Sequence, residues 1–171
     1  ASIGDTTESV DGNASARDAE TMFQLIYLRM TSARKDAEAF GIWKSTLAEQ
    51  LTNRLRVPEV QFAIQSQEVL FKGNPRRKPP TAEDVGKVDQ DKARAFYRNR
   101  FGDATDFTFT IVGVFDLAKI KPLVETYLGS LPTKGRKEKE KDLGIKRVTG
   151  VVKKTWNLGS EPKARVAVSF M

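Results

Sequence analysis

The chemistry open to this chain is limited by two missing residue types, since its 171 residues include no histidine and no cysteine. Histidine carries most proton transfer near neutral pH and supplies the neutral nitrogen that binds catalytic zinc. Cysteine supplies thiolate nucleophiles and soft metal ligands. The chain therefore has no Ser-His-Asp or Cys-His arrangement, no zinc finger and no His-Glu-x-x-His helix, which leaves carboxylates as candidates for metal binding or acid–base work.

The carboxylates that could be considered fall in two places. Asp84, Asp89 and Asp91 cluster around predicted helix starts, where acidic side chains stabilise the helix dipole. Glu49 lies on a long predicted helix whose charge pattern is typical of a solvated face. We therefore predict no catalytic residue and no metal ligand in this chain, and its sequence indicates no substrate-binding residue.

The net charge of +7 raises the question of a nucleic-acid partner. Basic residues concentrate at 76–78 and over 134–147, but the second run alternates with acids, and neither has aromatic residues placed to stack bases. Both runs are typical of solvated connections, so no nucleic-acid partner is expected. No apolar run reaches the roughly 18 residues of a membrane span, and no signal-peptide pattern is present.

Apolar periodicity places helices along most of the chain. Capping boxes are predicted at Ser15–Asp18 and Thr81–Asp84, where a hydroxyl and a carboxylate would satisfy backbone N–H groups. Helices are predicted up to Thr31, over 36–56, over 58–71, after Thr81, over 93–101 and after Asp116, with Pro122 as a separate turn or kink.

Alternating side chains predict strands over 106–115, 151–158 and 164–170, and the first dozen residues suit an edge strand or loop. Trp43 and the phenylalanines are interpreted as core residues. The order of elements predicts an α+β fold in which helices pack on a mainly antiparallel sheet, with partner strands supplied from outside the chain. Because the chain starts with Ala1 and stops directly after a strand-like run, we expect a fragment.

Three stretches of the sequence resemble the insulinase/pitrilysin-type zinc metallopeptidases of bacteria. The stretches are SVDGNASARDAETMFQLIYLRMTSARKDAEAFGIWK, DFTFTIVGVFDLAKIKPLVETYLGSLPTKGRKE and GSEPKARVAVSF. The resemblance covers nearly the whole chain, and its most specific part runs from the helix of Tyr97 to Pro132.

The resemblance implies an architecture of similar α+β domains, usually four per full-length chain, arranged as two halves around a peptide chamber. This chain would comprise the later part of one domain over 1–132, a charged linker over 133–149 and the opening strands of the next domain over 150–171. Its sequence resembles that of the third domain, in the C-terminal half, more than that of the first domain.

The family's catalytic residues are an inverted His-x-x-Glu-His helix that holds zinc and a downstream Glu ligand. The His-x-x-Glu-His helix has no counterpart in this chain. Glu49 is the nearest counterpart of the downstream Glu ligand. Without two histidines, that one carboxylate cannot hold zinc, so its role is not carried over. The Arg/Tyr pair that holds substrate in relatives would fall beyond Met171.

The resemblance thus implies a non-catalytic, chamber-forming segment of a zinc-dependent peptidase, with zinc and hydrolysis in the parent protein only. Its partners would be the rest of the parent chain or a partner subunit, together with peptide substrate at an exposed strand edge. The alternative is an inactive scaffold subunit of the same fold. Relatives are often periplasmic, and this sequence neither requires nor excludes that location.

Overall fold

A computed structural model describes residues 1–170 of the chain. These residues form two compact units, one made of residues 1–40 and 88–143, the other of residues 41–87 and the chain from 144 on. The predicted boundaries at 132/133 and 149/150 rest on composition and resemblance and stay a prediction. Met171, at the end of the last predicted segment, lies outside the described residues.

Helices dominate the described residues, and they lie close to their predicted positions. They are α1 (Ala19–Thr31), α2 (Ala37–Arg54), α3 (Pro58–Leu70), α4 (Ala82–Gly86), α5 (Gln90–Phe101) and α6 (Leu117–Leu123). Pro58 occupies the first turn of α3, where its missing N–H costs no hydrogen bond. The break between α2 and α3 therefore falls at Val57, which has extended backbone as expected before proline.

The two predicted capping boxes have different outcomes. At Thr81 the box is formed, because the Asp84 N–H donates to the Thr81 hydroxyl (3.1 Å) and the Thr81 N–H donates to the Asp84 carboxylate (2.9 Å). The box at Ser15 is wrong, since the Ser15 hydroxyl donates directly to the Asp18 carboxylate (2.6 Å) and neither side chain caps the backbone. A single 3-10 turn at Ala16–Asp18 precedes α1 instead.

The first unit begins with a short antiparallel hairpin of β1 (Ser2–Ile3) and β2 (Glu8–Ser9), in register Ser2 with Ser9 and Ile3 with Glu8. The predicted edge strand or loop is therefore a two-stranded ladder. It is the one sheet within the described residues.

The core of the first unit lies between α1, α5 and the helical turn at Val124–Leu128 that follows α6. Its fully buried apolar side chains are Phe23, Met30, Phe101 and Leu131. Phe101 packs at 4.6 Å between ring centroids on Tyr97 and at 5.8 Å on Phe107. Phe23 and Met30, seven positions apart on one face of α1, supply half of this set, which agrees with the apolar periodicity that predicts this helix.

The helix of Pro122 continues past the proline as a π-helical turn at Val124–Leu128, closed by the Gly129 N–H donating to the Val124 carbonyl (2.8 Å). Proline removes one N–H from the regular ladder, and π turns are a common adjustment where that ladder is interrupted. The π turn packs on α1, where the Tyr127 hydroxyl bonds to Glu20 (3.0 Å). The helix thus runs through Pro122 without a separate turn and changes its hydrogen-bonding pattern two residues later, and the predicted kink stays a prediction.

The second unit has a smaller buried core, with Val85 of α4 as its fully buried large apolar residue. Phe62 of α3 meets Trp156 edge to face with ring centroids 5.5 Å apart, and the Val148 N–H donates to the Leu70 carbonyl (2.8 Å). The predicted core role of Trp43 is wrong for this chain alone, because its side chain remains 44% exposed.

The predicted strands over 106–115, 151–158 and 164–170 form no ladder within the described residues. A strand is defined by hydrogen bonds to a neighbour, and these segments have no neighbouring strand in the chain to accept or donate them. The α+β prediction is therefore confirmed in its helices and in one small antiparallel sheet, whereas helices packed on a large sheet are not observed.

Candidate functional site

The structure places the clustered acidic candidates at helix starts, as predicted. Asp84 belongs to the cap of α4, and Asp89 caps α5 by accepting a hydrogen bond from the Lys92 N–H (2.8 Å). Asp91 pairs with the Lys35 ammonium at 2.5 Å. The pKa values of Asp84 and Asp89 are lowered chiefly by the backbone N–H groups that they accept from, of Thr81 and Lys92 respectively. Asp84 and Asp89 therefore favour the ionised form, and all three carboxylates are bonded to groups of the protein.

Glu49 lies exposed on α2, on the solvated face that its charge pattern predicts. Among residues 1–170, no three side chains of the His, Cys, Asp or Glu type come close enough together to hold a metal ion. Zinc, the metal that the resemblance implies for the parent, does not fit these residues, because the chain offers carboxylates alone and they are dispersed.

A polar cluster that the sequence analysis missed is centred on Asp103, a buried carboxylate of the first unit. Asp103 accepts hydrogen bonds from the Thr105 hydroxyl (2.5 Å) and from the N–H groups of Thr105 (3.1 Å), Lys134 (3.0 Å) and Arg136 (3.3 Å). These donors, the Thr105 hydroxyl first, hold the pKa of Asp103 well below its usual range. The carboxylate thereby fixes the backbone of residues 134–136 against the end of α5.

Two arginines extend this cluster. The Arg100 guanidinium donates to both carboxylate oxygens of Glu138 (2.9 and 2.6 Å) and, through Nε, to Glu8 of β2 (2.5 Å). These two acids, Glu138 first, raise the pKa of Arg100 further above its usual range. Arg136 donates to the carbonyls of Asn99 (2.5 Å) and Arg100 (2.9 Å), which are otherwise unpaired at a helix C-terminus.

This cluster stabilises structure and offers no reactive group. The bonds from Thr105 and Arg100 lower the pKa values of Asp103 and Glu138 respectively, and Glu8 is bonded to Arg100, so none of these acids is poised to take a proton from a substrate. The beginning of the predicted linker is consequently bound to the protein through residues 134–138. Its sequence signal was the Asp-x-Thr pattern directly after a helix C-cap, which is typical of a side chain bonding to the backbone two residues on.

The most exposed apolar side chains lie on the segments that were predicted as strands. In the first unit Val112 and Val114 are almost fully exposed, and in the second unit Val151, Val166 and Phe170 are similarly open to solvent. Clustered exposed apolar residues mark surfaces that bind another polypeptide. Unpaired extended backbone in the same segments supplies the hydrogen-bonding groups that strand addition uses.

No helix over residues 1–170 is both long enough and apolar enough to cross a membrane.

Comparisons with known proteins give two matches. Residues 87–170 match the family described as "Peptidase M16 inactive domain". The chain is also 33% identical over 116 residues to a protein of Arabidopsis thaliana described as "Zinc protease PQQL-like". That alignment covers 67% of this chain and 12% of the relative. No solved structure matches the chain significantly.

Proposed function

We propose that this chain is a non-catalytic segment of a zinc-dependent metallopeptidase of family M16, from the C-terminal half of its parent protein. The match of residues 87–170 to the inactive M16 domain carries this proposal. The similarity to a zinc protease-like relative supports the same family, although the aligned part spans a small share of that relative. The absence of histidine from the whole chain agrees with a part of the protein that does not hold the metal.

The proposed fold of the complete domain is a layer of helices on an antiparallel sheet. The segments over 106–115, 151–158 and 164–170 would become strands of such sheets once the rest of the parent chain supplies partners. Their alternating side chains and their exposed apolar residues support this proposal. The segment over 133–149 would then connect two domains, with residues 134–138 held by Asp103 and Arg100.

The proposed role is to form part of the wall of a chamber that encloses peptide substrate. In the parent, a zinc ion bound elsewhere would supply an activated water for hydrolysis. This chain would contribute an apolar surface and unpaired strand edges, which bind extended peptides through main-chain hydrogen bonds. A periplasmic location, implied by the resemblance alone, is part of the same proposal.

The test compares this chain with its parent protein. We expect the purified chain to retain no stoichiometric zinc after dialysis and to leave an unfolded peptide substrate intact, because no site in it fits the metal. The parent should contain zinc and cleave the same peptide in a chelator-sensitive manner. Stoichiometric zinc together with chelator-sensitive cleavage in the chain alone would overturn the proposal.

A second candidate function is an inactive subunit that supports a separate catalytic chain. The description of the matched family as an inactive domain favours it to the same degree. The two candidates differ in the gene that encodes this chain. An inverted His-x-x-Glu-His motif in the same reading frame supports the peptidase parent, and a reading frame without that motif supports the inactive partner.

A further inference from the structure

The second unit contains an open groove of about 2340 Å³. One side is α3, which contributes Pro58 and Phe62, and the other is the extended chain over 146–170. Gly159 lies against α3 with a φ of +77°, and a Cβ at this position would come within 2.8 Å of Pro58 Cγ. The extended chain is thus seated against α3 at a position that only glycine accommodates without strain.

The groove is strongly basic. Eight lysine or arginine residues line it against two glutamates, Glu59 and Glu161. Glu161 already pairs with the Lys163 ammonium at 2.5 Å. No carboxylate within residues 1–170 pairs with Lys153 or Lys154, so the positive charge of these two lysines is uncompensated along the groove.

Two of the groove's arginines are held by aromatic rings and not by acids. The Arg165 guanidinium lies 5.7 Å from the centroid of the Phe62 ring, and the Arg147 guanidinium lies 5.7 Å from that of Phe71. A cation over an aromatic face keeps its full charge and its N–H donors. Both arginines therefore remain able to bind a carboxylate.

The backbone of the groove wall offers a strand edge. Over 150–158, within the part of the chain that the structure describes, no backbone hydrogen bond pairs this segment with another. Its side chains combine basic and apolar character, since exposed Val151 precedes Lys153 and Lys154. An edge of this kind can pair with one added extended strand. The side chains along the edge then determine which peptide sequence binds there.

We propose that this groove binds an acidic, extended peptide in trans, which adds as a strand to residues 150–158 and places carboxylates against Arg165 and against one of Lys153 and Lys154, which as neighbours in a strand face opposite sides. Charge complementarity selects the acidic partner, and the unpaired backbone selects an extended one. A second copy of this chain is a poor occupant, because two chains of net charge +7 repel each other. The proposal deepens the peptide binding proposed above and rests on it, because residues 151–158 must keep one strand edge open when the parent chain supplies a partner strand to the other.

The test uses the full chain with Trp43→Phe, so that Trp156 in the groove wall is the one tryptophan. We expect an alternating Glu-Val peptide to change the Trp156 fluorescence saturably, and added salt to weaken binding by screening the charges. An alternating Lys-Val peptide of equal length should leave the fluorescence unchanged.

The variant Lys153→Gln with Lys154→Gln should weaken Glu-Val binding by about 1.4- to 5-fold, since one of the two lysines meets the acidic face of the peptide and an exposed ion pair contributes about 0.2–1 kcal/mol. Lys139→Gln with Lys141→Gln is the matched control, because it removes the same charge from the predicted linker outside the groove. This variant should bind the Glu-Val peptide as tightly as the Trp43→Phe chain without further substitutions does. Far-UV circular dichroism establishes that both variants keep their helices.

Four results would overturn the proposal: no saturable change with Glu-Val peptide, equal binding of Lys-Val peptide, equal weakening in both variants, or no dependence on salt. Preferential binding of phosphatidylserine vesicles or of oligodeoxythymidylate over the Glu-Val peptide would assign the basic groove to a membrane surface or to nucleic acid, and would likewise overturn it. The proposal would also be overturned if sedimentation analysis showed that dimerisation of the chain accounts for the saturable change in Trp156 fluorescence.

Discussion

Replacing Phe101 by alanine tests whether the first unit has the core described above. Phe101 is 1% exposed and contacts the rings of Tyr97 and Phe107. Burying a phenylalanine contributes about 1.5–3 kcal/mol. Each aromatic contact adds about 0.5–1.5 kcal/mol, and the cavity left behind adds a further cost. We therefore expect Phe101→Ala to lower the free energy of unfolding by about 3–5 kcal/mol.

Phe96→Ala is the matched control, because it makes the same chemical change on the same helix at a side chain that is 56% exposed. Because Phe96 is about half buried, its replacement loses about half of the free energy of transferring a phenylalanine side chain out of water. Alanine recovers about 0.5 kcal/mol through its higher helix propensity. We expect the free energy of unfolding to change by less than about 1 kcal/mol in this variant.

Urea titration followed by far-UV circular dichroism measures the free energy of unfolding of both variants and of the unsubstituted chain. The slope of that free energy against urea concentration should be the same in all three. We expect the two substitutions, which remove the same side-chain atoms five positions apart, to lower the free energy of unfolding by very different amounts. If Phe101→Ala cost no more than Phe96→Ala, the packing of α5 on α1 would be refuted as the core of this unit.

Two further predictions concern polar groups. Since the folded pKa of Asp103 is depressed, its stabilisation is complete above the unfolded pKa of about 3.9 and is lost as pH falls below it. Asp103→Asn should therefore flatten the acid limb of a stability–pH profile, whereas Glu140→Gln, at an exposed position, should leave that limb unchanged. Thr81→Ala removes the hydroxyl of a capping box and should cost about 1 kcal/mol in thermal or urea unfolding. Thr46→Ala, within α2, should be neutral or slightly stabilising, and equal losses at both threonines would contradict the capping role.

The helices were predictable because their signals are local. Proline at the start of α3, Asp116 before α6 and the box at Thr81 each specify a boundary through groups a few residues apart. The box at Ser15 did not form although its hydroxyl donates to the Asp18 carboxylate just as the Thr81 hydroxyl donates to Asp84; only the Thr81 and Asp84 side chains also accept from the backbone. Sequence patterns identify groups able to cap and leave open which partner they choose.

The Asp-x-Thr pattern indicates the bonds from Thr105 to Asp103, but those from Lys134 and Arg136 could not be predicted, because these donors lie about thirty positions away in sequence. A run of mixed charges such as 134–147 is normally solvated, and only the tertiary fold brings its first residues to a buried carboxylate. The cluster shows that part of a composition-defined linker is held in a fixed place.

The sequence by itself determined that this chain lacks histidine and cysteine for zinc binding or a catalytic triad, that helices occupy much of it, and that certain segments alternate in the manner of strands. Residue types and short-range spacing suffice for those conclusions. Only the tertiary structure decided that these segments lie unpaired, that Asp103 binds the residues at 134–136, and that basic side chains gather along one groove. Each of these depends on contacts between residues distant in sequence, and a strand in particular exists only when another strand is present to complete its hydrogen bonds.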